Sequence, residues 1–71
     1  MIVFIKFPQG QTLTVDISEH DTVEALFSEV CAEKNCNDVM LTLHGQPLDI
    51  DRKLSDYEID EGTVLHALEC N

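Results

Sequence analysis

Apolar and polar residues alternate along the first part of the chain, with one interruption. Met1 to Phe7 is rich in β-branched and aromatic residues, and Gln11 to Ile17 is apolar at every second position. A period of two is typical of a strand with one buried face. Pro8-Gln9-Gly10 combines a fixed φ with a residue that tolerates positive φ, which favours a bulged hairpin loop. The pattern therefore predicts an antiparallel hairpin.

The hydrophobic period changes to that of a helix after Asp21. Apolar residues recur at i, i+3, i+4, i+7 and i+8, at Val23, Leu26, Phe27, Val30 and Cys31. This spacing places them on one face of a helix. Asp21 or Thr22 can cap its start, and Lys34 and Asn35 suit its end. A helix of about thirteen residues is marginal alone in water, so we expect it to pack on the sheet.

Further strands are predicted in the second half of the chain. Met40 to His44 reads as a third strand. The chain then turns at Gly45-Gln46-Pro47, and a short edge strand follows around Leu48. Val64 to Leu68 reads as the last strand. This order predicts an α+β fold in which one helix covers one sheet. Residues 1–71 are expected to form a single domain, because a chain this short supports one small core.

The charge of the chain is strongly negative: fourteen acidic residues oppose four basic ones, giving a net charge of −10. Phosphate backbones are bound mainly through lysine and arginine, so direct nucleic-acid binding is not expected. Protein partners with basic surfaces are expected instead, although solubility through mutual repulsion explains the charge equally well. The best candidate acidic surface contains Asp49, Asp51, Asp56, Glu58, Asp60 and Glu61.

Several classes of protein are disfavoured by simple features. No apolar run approaches the roughly 20 residues of a membrane span, and no secretory leader is present, so we expect a cytoplasmic protein without membrane contact. The odd number of cysteines indicates reduced thiols. The cysteines and histidines match no zinc motif, so no metal or cofactor is expected. These residues are Cys31, Cys36, Cys70, His20, His44 and His66.

An enzyme is not expected either. Nucleophilic catalysis requires a base held against a nucleophile. Cys70 is the only thiol near His66 in the sequence, and it lies next to Asn71, where few neighbours can orient it. The sequence therefore predicts a monomeric, non-enzymatic domain.

Several segments resemble the ubiquitin family in register across nearly the whole chain. The most specific are Leu54-Ser55-Asp56-Tyr57-Glu58-Ile59 and Gly62-Thr63-Val64-Leu65-His66, supported by Met1, Phe4, Lys6, Gly10, Thr12, Asp21-Thr22, Gly45 and Leu48. The resemblance implies a β-grasp fold, with a mixed sheet of four to five strands packed on one helix. It also implies that the hydroxyl of Tyr57 anchors a loop through a backbone hydrogen bond.

The family binds its receptors through an apolar patch beside a histidine on the outer face of the sheet. The resemblance places this partner-binding surface at Pro8, Thr42, Gly45, His66 and Leu68. Thr42 replaces an isoleucine, which removes apolar contact worth about 0.8 kcal/mol per methylene and adds a hydroxyl that costs about 1–3 kcal/mol if it is buried without a partner. Ordinary receptors of the family should therefore bind at least about tenfold more weakly.

The resemblance also implies a change beside the helix. Where the family pairs a buried lysine with an aspartate, this chain carries Phe27 and Ile50. Replacing a buried ion pair by packed apolar groups is often neutral or stabilising by about 1–4 kcal/mol. We therefore predict that the side chains of Phe27 and Ile50 touch.

The end of the given sequence bears on conjugation. Modifiers of the family are attached through a terminal diglycine, whereas Glu69-Cys70-Asn71 offers none, so the sequence favours a non-conjugating ubiquitin-like domain. One hypothesis is the amino-terminal part of a fusion with a small-subunit ribosomal protein, located on cytoplasmic ribosomes and in the nucleus during assembly. A second is an adaptor domain that docks on the proteasome or other receptors. A third is a modifier whose Gly-Gly tail lies beyond Asn71.

Overall fold

In the part of the chain that the structure describes, two strands precede one α-helix and three strands follow it. A computed structural model describes residues 1–34 and 39–69. Within these ranges the elements are β1 (Ile2–Lys6), β2 (Thr12–Asp16), α1 (Val23–Lys34), β3 (Val39–Leu43), β4 (Gln46–Pro47) and β5 (Val64–Glu69). A short 3-10 turn covers Leu54–Asp56. In this part of the chain no helix is both long and apolar enough to cross a membrane.

The strands of the described ranges form one mixed five-stranded sheet. Its order is β2-β1-β5-β3-β4, with β1 and β5 parallel at the centre and the other neighbours antiparallel. The helix packs on one face of this sheet. The α+β class and the β-grasp arrangement are thereby confirmed.

The core lies between the helix and the inner face of the sheet. Alternation along β1, β3 and β5 turns every second side chain inward, and α1 contributes Val23, Leu26 and Val30. The largest fully buried side chains are Ile5, Leu26, Leu54, Leu65, Val3 and Val30. Burying apolar surface of this kind supplies most of the favourable free energy of folding.

The first hairpin has the predicted loop. The Gly10 N–H donates to the Phe7 carbonyl at 3.0 Å, and the Phe7 N–H donates to the Gln11 carbonyl at 2.9 Å. Gly10 has a φ of 95°, the left-handed value that a glycine reaches without steric cost. Lys34 at the end of α1 donates to the Gln11 side chain, and its Nζ lies 4.7 Å from the centre of the Phe7 ring. The helix end is thus attached to the hairpin.

Thr22 caps the helix, one of the two residues predicted for this role. Its Oγ1 accepts a hydrogen bond from the Ala25 N–H at 3.2 Å. This bond satisfies one of the N–H groups that a helix start leaves without a partner. The helix ends at Lys34, and the predicted contribution of Asn35 lies outside the described residues.

The second hairpin differs from the prediction. Its turn is formed by His44 and Gly45, with φ values of 53° and 83°, the pattern of a two-residue type I′ turn. The short edge strand therefore comes at Gln46–Pro47 instead of around Leu48, and β3 ends at Leu43. The reason is that a type I′ loop matches the right-handed twist of its strands, so the chain reverses one residue earlier than expected.

Backbone hydrogen bonds attach the long connection between β4 and β5 to the start of the helix. The Val23 N–H donates to the Arg52 carbonyl at 2.8 Å, and the Leu54 N–H donates to the Asp21 carbonyl at 2.9 Å. The Tyr57 hydroxyl accepts a hydrogen bond from the Asp49 N–H at 2.7 Å. The anchoring role that the resemblance implied for Tyr57 is therefore confirmed.

Phe27 and Ile50 lie beside the same surface groove, between α1 and β3. This helix-side groove, of about 320 Å³, is lined by Val23, Phe27, Val39, Met40, Leu41, Leu48 and Ile50. The predicted contact between the two side chains stays a prediction, while the packed environment expected for Ile50 is wrong, because its side chain is 42% exposed. Exposed Asp49 and Asp51 flank Ile50 in the chain.

Candidate functional site

The face of the sheet opposite the helix carries the residues predicted to bind partners. In β3, Met40 and Thr42 point away from the core, while Val39, Leu41 and Leu43 are buried. A strand with this alternation exposes a mixed face only on the side that has no layer above it. We call this side of the sheet the outer face.

Strand register determines which outer-face residues are neighbours. His66 of β5 pairs with Lys6 of β1 on one side and with Thr42 of β3 on the other. The adjacent row pairs Met40 with Leu68. Residues that are distant in sequence therefore form one continuous surface across three strands.

A shallow groove of about 260 Å³ lies in this surface. Of the five predicted site residues it brings together Pro8, Thr42, His66 and Leu68. Lys6 and Met40 also line this outer-face groove. Leu68 is 53% exposed and Met40 is 43% exposed, so both present apolar surface to solvent.

Gly45 is the predicted site residue that lies apart. It occupies the type I′ turn between β3 and β4 and is not among the residues that line the outer-face groove. Its positive φ explains why a glycine suits the position, because a larger L-residue is strained there. The turn geometry therefore explains the glycine at position 45 without any contact to a partner.

Met40 and Lys6 were not predicted as site residues. For Met40 the sequence does contain a signal. The signal that identifies it is the alternation along β3, since Met40 and Thr42 are two residues apart and must share a face. Lys6 follows by the same argument only once its pairing with His66 is known.

Three polar side chains line the outer-face groove. They are the Lys6 ammonium, the His66 imidazole and the Thr42 hydroxyl, and among the described residues no carboxylate or thiol lines it. In the described part of the chain no cluster of three or more histidine, cysteine or acidic residues is arranged to hold a metal ion. Cys36 and Cys70, which the sequence analysis considers as zinc ligands and, for Cys70, as a nucleophile, lie outside the described residues.

The acidic residues are distributed differently from the sequence prediction. Asp60 and Glu61 line a wide depression of about 590 Å³ whose other acidic residues, Asp16, Glu19 and Asp21, come from the opposite end of the chain. The Glu61 carboxylate accepts a hydrogen bond from the Ile2 N–H at 3.0 Å, which brings the two ends together. Asp49 instead faces Arg52 at 3.8 Å, so the predicted acidic segment is divided between two parts of the surface.

Comparison with known families agrees with this architecture. A sequence model of the Ubiquitin family matches residues 3–69, which include the described helix and strands except Ile2 at the start of β1. Domains of this family are generally non-enzymatic modules. The chain therefore belongs to the ubiquitin family.

Proposed function

We propose that this domain is a non-catalytic protein-binding module that uses the outer face of its sheet. The observation that supports the proposal is the outer-face groove, where Pro8, Thr42, His66 and Leu68 meet beside exposed Met40. Exposed large apolar side chains that are grouped with a few polar groups are typical of protein-binding surfaces.

The composition of the groove defines the kind of partner. Met40 and Leu68 offer apolar contact, worth about 25 cal/mol per Å² of surface removed from water. Thr42 lies opposite His66 in the neighbouring row, so a partner that covers the groove must supply a hydrogen-bonding group for its hydroxyl or lose about 1–3 kcal/mol. We therefore expect a partner whose contact surface is apolar with a polar group at its centre.

Site-specific cross-linking tests this proposal. A photo-reactive phenylalanine derivative at Leu68 should capture partner proteins in cells, and the same group at Ser28, which is exposed on α1 on the opposite side of the sheet, serves as the control. A partner cross-linked from position 68 and not from position 28 supports binding through the outer face. Equal cross-linking from both positions, or none from position 68, argues against it.

As the context of this binding role, we propose the non-conjugating, amino-terminal part of a small-subunit ribosomal fusion. The net charge of −10 supports this context, because an acidic module beside a basic ribosomal segment favours solubility during assembly. A single species several kilodaltons heavier than the 8.0 kDa domain, cosedimenting with small ribosomal subunits, is the expected result on a blot against residues 1–71. A free species near 8.0 kDa, or a ladder of adducts, supports a modifier instead.

The adaptor hypothesis is the alternative that shares the same surface. It predicts that the domain recovers proteasome subunits from a lysate and that Leu68→Ala abolishes the recovery. The polar Thr42 beside Leu68 counts against it, because receptors that recognise a fully apolar patch lose affinity there.

A further inference from the structure

The helix-side groove is a second apolar surface, separate from the outer-face groove. Among the described residues the two share only Met40, and the side chains that line the helix-side groove are all apolar. Its volume of about 320 Å³ is at the lower end of the range for ligand pockets, about 300–1,000 Å³. Such a groove accommodates a few aliphatic side chains and lacks the convergent polar groups that orient a cofactor.

The rim of this groove exposes large apolar side chains. Ile50 is 42% exposed and Met40 is 43% exposed, and Phe27, which lines the same groove, is partly buried against the core. Four of the large hydrophobic residues in the described ranges are markedly exposed, and these are two of them. Covering them with apolar side chains of a partner removes this surface from water, which is favourable.

The edge of β3 beside the groove is incompletely covered. β4 pairs only with Thr42 and Leu43, and the Leu48 N–H reaches the Leu41 carbonyl at 2.9 Å. Within the described ranges no strand pairs with Val39 or Met40 on that side of β3. The apolar groove is therefore open to an approaching chain along this edge.

Charge decides between the possible occupants. Glu24 follows Val23, and Asp49 and Asp51 flank Ile50, all three with exposed side chains. The nearest base, Arg52, faces Asp49 at 3.8 Å, while Lys34 lies over Phe7 near the first hairpin. Since each copy of the chain carries a net charge of −10, a second copy is repelled and a basic partner is attracted.

We propose that the helix-side groove binds a segment of a partner protein that presents aliphatic or aromatic side chains flanked by lysine or arginine. The apolar side chains cover Phe27, Met40 and Ile50, and the basic residues lie near Glu24, Asp49 and Asp51. The two grooves share Met40, but Ile50 lines only the helix-side groove and Leu68 only the outer-face groove, so changes at these two residues test the two surfaces separately.

A titration of the isotopically labelled chain tests this proposal. The probe is a synthetic amphipathic peptide of about 18 residues, long enough to form a helix, with a leucine stripe and lysine and alanine elsewhere. A second peptide carries glutamate in place of lysine. We expect saturable shifts of backbone amides at Phe27, Leu41 and Ile50 with the lysine peptide, and binding at least about tenfold weaker with the glutamate peptide.

Matched variants separate apolar contact from general attraction between opposite charges. Ile50→Thr should weaken binding of the lysine peptide at least about fivefold, because apolar contact is lost. Val64→Thr should leave it within about twofold of the original value, since Val64 is similarly exposed, at 41%, and lines neither groove. Both changes keep a β-branched side chain and the same net charge, so their difference isolates the groove. Intermolecular contacts between leucine methyls and the Phe27 ring locate the peptide without any substitution.

Five outcomes overturn the proposal. Equal weakening by the two variants, or shifts confined to the acidic depression around Asp16 and Asp21, means that attraction between opposite charges alone holds the peptide. Equal binding of the glutamate peptide removes the basic requirement. Sedimentation that shows a dimer of the unmodified chain, dissociated by Ile50→Thr, assigns the groove to a second copy. Absence of methyl contacts with Phe27 places the peptide elsewhere.

Discussion

At the scale of single residues, Leu54 holds the long connection between β4 and β5 against the core, because its side chain is fully buried. Leu54→Ala leaves a cavity in addition to losing apolar burial, and such changes cost about 2–5 kcal/mol. We expect a loss of this size in the free energy of unfolding, measured by urea denaturation. Val64→Ala is the control and should cost less than about 1 kcal/mol, because Val64 is 41% exposed. Comparable losses for the two variants would contradict the packing described for Leu54.

The Tyr57 hydroxyl gives a second prediction at this scale. Tyr57→Phe removes the acceptor of the Asp49 N–H and should lower the free energy of unfolding by about 0.5–1.5 kcal/mol. Hydrogen exchange of the Asp49 amide should accelerate, while exchange of the Leu48 amide, which donates to Leu41, should change little. Unchanged exchange at Asp49 would show that this bond does not hold the loop in solution.

Ile50 shows where the sequence fails at the scale of one residue. The resemblance predicts that its side chain packs against Phe27, but the side chain is 42% exposed. Burial depends on the path of the backbone, and the Asp49 N–H beside Ile50 donates to the Tyr57 hydroxyl, eight positions away along the chain. A local pattern contains no information on such a bond, so the groove could not be predicted.

At the scale of elements, the helix depends on its cap as well as its packing. Thr22→Ala removes the Oγ1 that accepts the Ala25 N–H and should cost about 1 kcal/mol. Ser28→Ala, at an exposed position inside the helix, is the control and should be neutral or slightly stabilising, because alanine is the better helix former. Thermal unfolding of both variants provides the measurement. A Thr22→Ala variant as stable as Ser28→Ala would rule out capping at Thr22.

The elements were predictable to different degrees. The first hairpin, the helix and β5 follow from clear periods of two and 3.6 residues together with Pro8, Gly10 and the cap. The two-residue strand β4 and the 3-10 turn at Leu54–Asp56 are too short to show a period, so hydrogen bonds to distant residues define them. The type I′ turn needed the φ of His44, which a histidine in the sequence does not indicate.

The candidate site, like the elements, was only partly predictable from the sequence. The residues Pro8, Thr42, His66 and Leu68 were proposed from resemblance, and the strand register gives the reason that they lie together. The sequence alone could not distinguish Gly45 from these binding residues, because a glycine suits a turn and a binding surface equally. Its location in the turn distinguishes the two readings.

At the scale of the whole molecule, the net charge of −10 acts on stability. Salt screens the repulsion between acidic groups, so raising sodium chloride from about 0.01 M to about 0.5 M should stabilise the folded chain. A gain of about 1 kcal/mol corresponds to a rise in Tm of about 4–8 °C for a domain of this size. Glu33→Lys, which exchanges an exposed acid for a base, should reduce the rise. A Tm that falls or stays constant with salt would contradict this account.

Long-range assembly also explains the acidic depression. The Gly62 N–H donates to the Ile2 carbonyl at 2.7 Å, and β5 then runs parallel to β1. This topology brings Asp60 and Glu61 to the depression that Asp16, Glu19 and Asp21 also line. No segment of the sequence contains this group. The distribution of charge over the surface is therefore a property of the topology, whereas the total charge is a property of composition.

The most direct test of the outer face as a binding surface is the affinity of a receptor domain that recognises the apolar patch of ubiquitin-family proteins. Calorimetric titration should give a Kd about tenfold lower for Thr42→Ile than for the unmodified chain, because the change restores apolar contact and removes the hydroxyl. Thr14→Ile, on β2 of the same face but outside the outer-face groove, should leave the Kd within about twofold, and Leu68→Ala should weaken binding. No gain from Thr42→Ile, or an equal gain from Thr14→Ile, would contradict the assignment of binding to the outer-face groove.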